Sequence, residues 1–148
     1  MSNQVTSIDK RARVKARRNA VQALYQWILT GKDISEIIHE FESDEKKLAK
    51  TDIDYFKSLL QGVIQHQHEL EKHFEHLLDR PVIELDAIER AVLLIGCYEM
   101  EHNIELPFRI VVNESVELAK TFGAEESHKY INGVMDKVAR HLRQTEMQ

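Results

Sequence analysis

The stretch KRARVKARRNAVQALYQWIL, Lys10 to Leu29, limits what this chain can fold into more than any other. It begins as a cationic arm and ends as one of the most apolar segments of the sequence. At the 100° per residue of an α-helix, Arg11, Lys15, Arg18, Gln22 and Gln26 fall in one stripe. Ala20, Val21, Ala23, Leu24, Trp27 and Ile28 cover most of the remaining circumference. A helix that is apolar around most of its girth is a buried one, so the second half of this stretch has to serve as the core of a bundle. The polar stripe is then the line along which the core helix reaches solvent, and it runs straight into the basic arm. On composition, two readings of the stripe stay open: a ridge that binds RNA, and an ordinary solvated helix face.

The rest of the chain repeats the helical pattern. With only 5 Gly and 2 Pro in 148 residues, interruptions are few, which favours long helices over a turn-rich β fold. Met1–Ser7 is polar, and Ser7 or Asp9 is placed to cap the first helix. Gly31 ends it, and Asp33 caps a short second helix with Ile34, Ile37, Ile38 and Phe41 on one face. A mixed-charge connection, Glu42–Lys50, leads to a third helix opened by Thr51 or Asp52, with Ile53, Phe56, Leu60, Val63 and Ile64 inward. His66–Leu78 continues helically with Leu70, Phe74, Leu77 and Leu78 on its buried side. Pro81 disfavours helical geometry at Arg80, which breaks the chain at Asp79–Pro81. A fifth helix runs from about Glu84 to His102, and its centre, Ala91 to Tyr98, contains no polar residue. Pro107 suits the first turn of a sixth helix that buries Val111, Val112, Ser115, Val116, Ala119 and Phe122 and stops at Gly123. The last runs from about Glu125 to Leu142 with Ile131, Val134, Met135, Val138 and Leu142 inward. The expected fold is all-α: about seven helices in two small bundles, each around one apolar rod. It forms a single domain over 1–148, with an N-terminal sub-bundle at about 9–79 and a C-terminal one at about 80–143.

Charge is unevenly spread along this frame. The formal net charge is −5. Residues 1–30 hold six basic side chains (Lys10, Arg11, Arg13, Lys15, Arg17, Arg18) against Asp9, a net of +5, so the remainder carries −10. A basic end on an acidic body suits RNA at one place and a cationic protein partner at another. The single cysteine, Cys97, lies in the apolar run AVLLIGCY and has no partner for an internal disulfide, which fits a reducing compartment. That run is the longest uninterrupted apolar one, far short of the ~20 residues that span a bilayer, and no signal-peptide pattern follows the N-terminal charges. The expected location is cytoplasmic.

Few residue groupings carry chemistry. His66, Glu69, His73 and His76 share a helix face, but one helix rarely presents four ligands to one ion, and the Glu-x-x-His partner helix of such centres is missing. No metal and no cofactor is assigned. Glu114, Glu117 and Lys120 match the spacing of an exposed helix face. The five glycines never cluster into a phosphate-cradling loop, and no Ser or Cys is paired with a base. The chain is not read as an enzyme. Tyr25 at the edge of the stripe and Tyr130 beside Lys129 can stack on unpaired bases while guanidinium groups hold phosphates. Each can equally be a core-edge residue.

Three segments, ARRNAVQALYQW, AIERAVLLIGCYEM and VVNESVELAKTFGAEESHKYINGVMDKVAR, resemble the bacterial NusB family in order and separation, and the similarity covers the chain after about Lys10. The resemblance implies two three-helix sub-bundles joined by an extra helix, and a role in transcription antitermination on ribosomal RNA operons within the transcription elongation complex. It implies pairing with a small-subunit ribosomal protein, NusE, and binding of single-stranded boxA RNA. Carried over by position, the RNA face comprises the arginine-rich start (Arg13, Lys15, Arg17), Gln22, Tyr25, Glu126, Lys129 and Tyr130, to which the helical stripe adds Arg11 and Arg18, while Glu89 faces the ribosomal protein. This chain has Arg18 where an acid is usual and Tyr130 where Phe is usual, and residues ahead of the arm shift the register of its arginines. Some relatives self-associate, and a homodimer hiding the Arg11–Gln26 face is a further expected partner state. Two rivals remain. One is a protein-binding scaffold without direct RNA contact. The other is the RNA-binding part of a cytosine methyltransferase, which would need a nucleotide-fold domain that does not follow here.

Overall fold

The computed structural model describes the backbone of residues 3–147 and the side chains of residues 10–146. Among these the chain is all-α: α1 (Asn3–Thr30), α2 (Ile34–Glu42), α3 (Ile53–Gln65), α4 (Gln67–Phe74), α5 (Ala87–His102), α6 (Phe108–Phe122), α7 (Ser127–Leu142) and a four-residue α8 (Gln144–Met147). Two 3-10 turns, Glu75–Leu77 and Val82–Glu84, lie between α4 and α5. No helix among the described residues is long and apolar enough to cross a membrane. The chain forms two compact units, residues 1–64 and 65–148. The break expected at Asp79–Pro81 therefore falls inside the second unit. Within that unit Arg90 of α5 pairs with Glu71 of α4 at 2.7 Å, His73 of α4 meets Glu101 of α5 at 2.8 Å, and α4 buries Leu70 and Phe74.

In the first unit, α1 starts at Asn3 and so runs through Ser7 and Asp9 rather than opening at them; the side chains expected to cap it lie outside the described residues. Ala16, Ala20, Val21, Ala23 and Leu24 are fully buried, as a core rod requires. Gly31 stops the helix in the left-handed conformation (φ +69°), donating its N–H to the Trp27 carbonyl at 2.9 Å. Asp33 caps α2 by accepting the Ser35 N–H at 2.8 Å. Ile37, Ile38 and Phe41 are buried there, with the Phe41 ring 5.5 Å from that of Phe56 on α3. Asp52 caps α3 through the Tyr55 N–H at 3.0 Å. The inner face of α3 differs from the expected one: Ile53 is exposed, whereas Tyr55 and Leu59 are buried beside Phe56, Leu60 and Val63. Tyr55 is covered because two arginines of α1 lie against its ring.

In the second unit, α4 begins only after His66 and gives way to a 3-10 turn at Glu75, so His66–Leu78 is not one continuous helix. Leu70 and Phe74 are fully buried, and Leu77 and Leu78 half-buried. Asp86 starts α5 by accepting the Ile88 and Glu89 N–H groups at 2.9 and 3.3 Å, which moves its start from Glu84 to Ala87. Ala91 to Cys97 are all buried. Burial pushes the Cys97 thiol far above its ordinary pKa, so it behaves as a small apolar group. At Gly96 a Cβ would stand 2.7 Å from Ser115 Oγ on α6 and 2.8 Å from Met135 Cε on α7, a closeness only glycine permits. Pro107 precedes α6 as its cap residue, and Gly123 ends it. Val112, Val116 and Phe122 are half-buried, while Leu118 joins the core beside Val111, Ser115 and Ala119. α7 buries Ile131, Val134, Met135 and Val138, and leaves Leu142 half-buried.

The end of α7 is closed by a side chain that periodicity does not single out. Arg143 is buried, and its guanidinium donates to the carbonyls of Met100 and Leu106 at 2.8 Å and Asn103 at 3.2 Å. It also pairs with Glu146, whose other oxygen accepts the Phe108 N–H at 2.7 Å. One cation thus supplies donors to the carbonyls that α5 leaves unpaired at its C-terminal end and to the turn that follows. Arg143→Ala removes those donors at once. Denaturant unfolding is expected to show a loss of about 3 kcal/mol with little change in slope, and a loss within 0.5 kcal/mol would contradict the role.

Candidate nucleic-acid interface

The helical period of α1 decides which cations reach solvent. Arg11, Arg18 and Gln22 are exposed, Lys15 and Gln26 are half-buried on the same line, and Tyr25 keeps 38% of its surface open at the edge. The stripe drawn from the sequence is therefore present as a solvent-facing ridge. It is widened by a residue that the linear sequence does not connect to it. The Asp52 N–H donates to the Ala12 carbonyl at 3.1 Å, and Asn19 Nδ2 donates to Thr51 Oγ1 at 3.1 Å. These bonds lay the connection ahead of α3 along α1 and bring Lys50 to the arm. Arg11, Ala12, Lys15, Lys50 and Thr51 line a depression of about 590 Å³. Lys50 sits at φ +57°, where a side chain costs about 1–2 kcal/mol relative to glycine, so the chain carries strain to keep a cation there.

The other two arginines of the arm point elsewhere. Arg17 retains 4% of its surface, and its guanidinium lies 5.6 Å from the centre of the Tyr55 ring. Arg13 is half-buried, 4.4 Å over the same ring and 3.8 Å from Asp52, and its Nε is buried without a hydrogen bond. Arg17, expected on the RNA face, therefore has little surface open to solvent, with its cation beside the Tyr55 ring. Arg13 belongs with it more than with the ridge. A cation over an aromatic face contributes about 0.5–2 kcal/mol according to its desolvation, so these two residues fasten α1 to α3.

The second unit presents the remaining predicted positions. Glu126 precedes α7 and Lys129 lies in its first turn; both are exposed and paired with each other at 3.1 Å. Tyr130 is half-buried, its hydroxyl donating to Asp79 Oδ1 at 3.2 Å and its ring lying 5.5 Å under the Arg80 guanidinium. Burial pushes the Tyr130 hydroxyl above its ordinary pKa, and the Arg80 guanidinium, bonded to Asp79 at 2.7 Å, holds that carboxyl below the usual carboxylate range. Local sequence does not single out Arg80, because its meeting with Tyr130 joins the bend after Leu77 to α7, far along the chain. Glu89 is half-buried in the first turn of α5 and accepts the Ser127 hydroxyl at 2.8 Å. One of its carboxylate oxygens is thereby committed to holding the start of α7.

A bundle of helices with a cationic ridge and a neighbouring aromatic is the class of a helical binding module. Residues 14–140 match the NusB family, and the chain belongs to that family. The transcription antitermination protein NusB of Marinomonas sp. (strain MWYL1) is 48% identical over 136 residues, covering 91% of this chain and 78% of that protein. Its namesake from Alcanivorax borkumensis is 47% identical over 135 residues, 91% and 89% of the two chains. Both relatives carry the name of a transcription antitermination protein. Among solved structures, T. maritima NusB shares the fold with a TM-score of 0.77 at 23% identity, over 91% of this chain and 96% of that one. A NusB chain crystallised with NusE and dsRNA superposes with a TM-score of 0.71 at 27% identity, over 88% and 98%.

Neighbouring arginines with opposite surroundings make the assignment testable. Arg17→Glu buries a carboxylate in place of the guanidinium and is expected to destabilise the protein by about 3 kcal/mol or more. Arg18→Glu on the ridge should stay within about 0.5 kcal/mol of the parent. Chemical denaturation of the two variants reads the difference directly, and equal effects would show both arginines in the same environment.

Proposed function

We propose that this protein is an RNA-binding transcription antitermination factor, acting in the cytoplasm as part of the transcription elongation complex. It pairs with the small-subunit ribosomal protein NusE and engages boxA-type RNA of ribosomal RNA operon transcripts as a single strand. The observation that carries this reading is the ridge of Arg11, Lys15, Arg18 and Gln22 with Lys50 beside it and Tyr25 at its edge. Cations hold phosphates without reading sequence, while Tyr25 offers a face on which an unpaired base stacks. The family relationship and the NusB chain solved with NusE and dsRNA support the partners. That complex contains double-stranded RNA, so preference for a single strand is a separate part of the proposal.

Lys129, Tyr130 and Glu126 form a second patch, on the other unit. Lys129 is exposed and ready to meet a phosphate once it leaves Glu126, and Tyr130 offers the ring face not covered by Arg80. Glu89 contributes to the ribosomal-protein contact with the carboxylate oxygen that Ser127 does not use. The net −10 of residues beyond Thr30 favours a basic partner and opposes RNA. NusE binding is therefore expected to raise RNA affinity by neutralising that charge as well as by adding contacts.

Titration of a boxA-type single strand and its duplex, with and without NusE, tests the proposal. With four ridge cations (Arg11, Lys15, Arg18, Lys50) on phosphates, log K should fall with log salt at a slope near −3, about −0.7 per contact on a single strand. Arg18→Glu should weaken binding and flatten the slope, and Tyr25→Ala should cost about 1–3 kcal/mol of stacking. Lys50→Gly should bind more weakly while its unfolding free energy rises by up to about 1 kcal/mol, because glycine relieves the strained φ. Unchanged titrations in all three well-folded variants would favour a protein-binding scaffold. Equal affinity for strand and duplex would remove the single-strand claim.

A further inference from the structure

α4 and α5 bring together imidazoles and carboxylates that RNA binding does not use. In the sequence, His66, Glu69 and His73 share a face but lack ligands from a second helix. The fold supplies them, because the last turn of α5 places Glu101 and His102 against that face. His66 Nδ1 lies 3.9 Å from Glu69 Oε2, and His102 Nε2 lies 3.7 Å from the same oxygen. His102 Nε2 is also 3.3 Å from Glu101 Oε1. Single donor atoms of His66, Glu69 and His102 all lie within 4.8 Å of one another, as do those of Glu69, His73 and Glu101.

Hydrogen bonds from the two imidazoles do not explain their convergence on Glu69. Separations of 3.7 and 3.9 Å exceed the range of an N–H···O bond, about 2.7–3.2 Å. They approach the separation of about 3.3 Å between two donors on a tetrahedral ion with bonds of about 2.0–2.1 Å. Glu69 is half exposed, so a small rotation of its long side chain closes the difference and leaves an ion a path from solvent. Glu101 Oε1 is buried and takes no hydrogen bond, while Oε2 of the same carboxylate is hydrogen-bonded to His73 Nε2 at 2.8 Å. Glu101 thus holds a carboxylate oxygen 3.3 Å from His102 Nε2, where it adds negative charge beside the His66, Glu69 and His102 donors. The imidazoles are held as well: the His102 ring stacks on Tyr98 at 4.9 Å, and the His66 ring lies 4.5 Å from that of His102.

We propose that His66, Glu69 and His102, with water at the fourth position of a tetrahedral ion, form a site for a divalent transition-metal ion of the zinc type. Two imidazoles and one carboxylate suit zinc, cobalt or nickel better than magnesium or calcium, which take oxygen alone. Glu101, beside His102, adds negative charge next to the ion. Bound there, it ties α4 to the end of α5 within the second unit.

The test is competition between the full-length protein and a chromophoric chelator for Zn²⁺ alone. One ion per chain is expected. His102→Gln and Glu69→Gln should abolish most of the affinity. His76→Gln, an exposed histidine outside both donor groups, should leave it unchanged. Co²⁺ in place of Zn²⁺ should show the intense visible absorption of a tetrahedral centre. Absence of wild-type binding, wild-type affinity in both Glu69→Gln and His102→Gln, loss of affinity in His76→Gln, or a weak octahedral Co²⁺ spectrum would each overturn the site. Circular dichroism checks that each variant is folded, and Glu69→Gln, on the exposed rim, carries the test if His102→Gln is not.

Discussion

Everything in the first unit depends on α1 serving as core and surface together. At 100° per residue it can bury Ala16, Ala20, Val21, Ala23 and Leu24 completely while leaving Arg11, Arg18 and Gln22 outside. Alanine at three of those buried positions makes the rod thin, and thin rods let neighbouring elements approach closely. The cationic ridge is then carried on a helix whose backbone cannot move without disturbing the core. Phosphate-binding groups on such a helix keep their spacing, which lowers the entropy lost when a flexible strand is held.

The arginine-rich arm divides between two tasks by position alone. Arg13 and Arg17, one turn apart, turn inward to Tyr55, and Arg11, Lys15 and Arg18 turn outward. Inward arginines supply packing that an aliphatic side chain could partly match, and they add the attraction of a cation for an aromatic face. A net charge count treats the five as equivalent. Their burial shows that they are not.

Much of this was legible in the sequence, and the exceptions share a cause. The stripe on α1, the caps at Asp33 and Asp52 and the stops at Gly31 and Gly123 follow from local rules, so reading along the chain finds them. Plotted as a helix, Arg13 and Arg17 already fall off the stripe, and family likeness adds them to the RNA face; in the structure Arg17 is buried and Arg13 half-buried, both against the Tyr55 ring. Lys50, Arg80 and Arg143 were missed because each matters through a partner distant in sequence: Ala12 and Lys15 for the first, Tyr130 for the second, Met100 and Leu106 for the third. The same holds for Glu101 and His102, which look like an ordinary polar helix end until α4 is laid beside them. The inner face of α3 was misjudged at Ile53 and Tyr55 because hydrophobicity ranks isoleucine above tyrosine, whereas two guanidinium groups make a buried ring favourable here.

The central claim is that the outward cations of α1 hold the RNA and the inward ones hold the fold. NMR of the arginine side-chain Nε–H groups during titration with a boxA-type strand tests it most directly, since each arginine reports separately. Shifts growing with RNA at Arg11 and Arg18, with Arg17 slow to exchange with solvent and unmoved, are the expected result. Shifts confined to Arg17, or an Arg18 signal already protected before RNA is added, would contradict it.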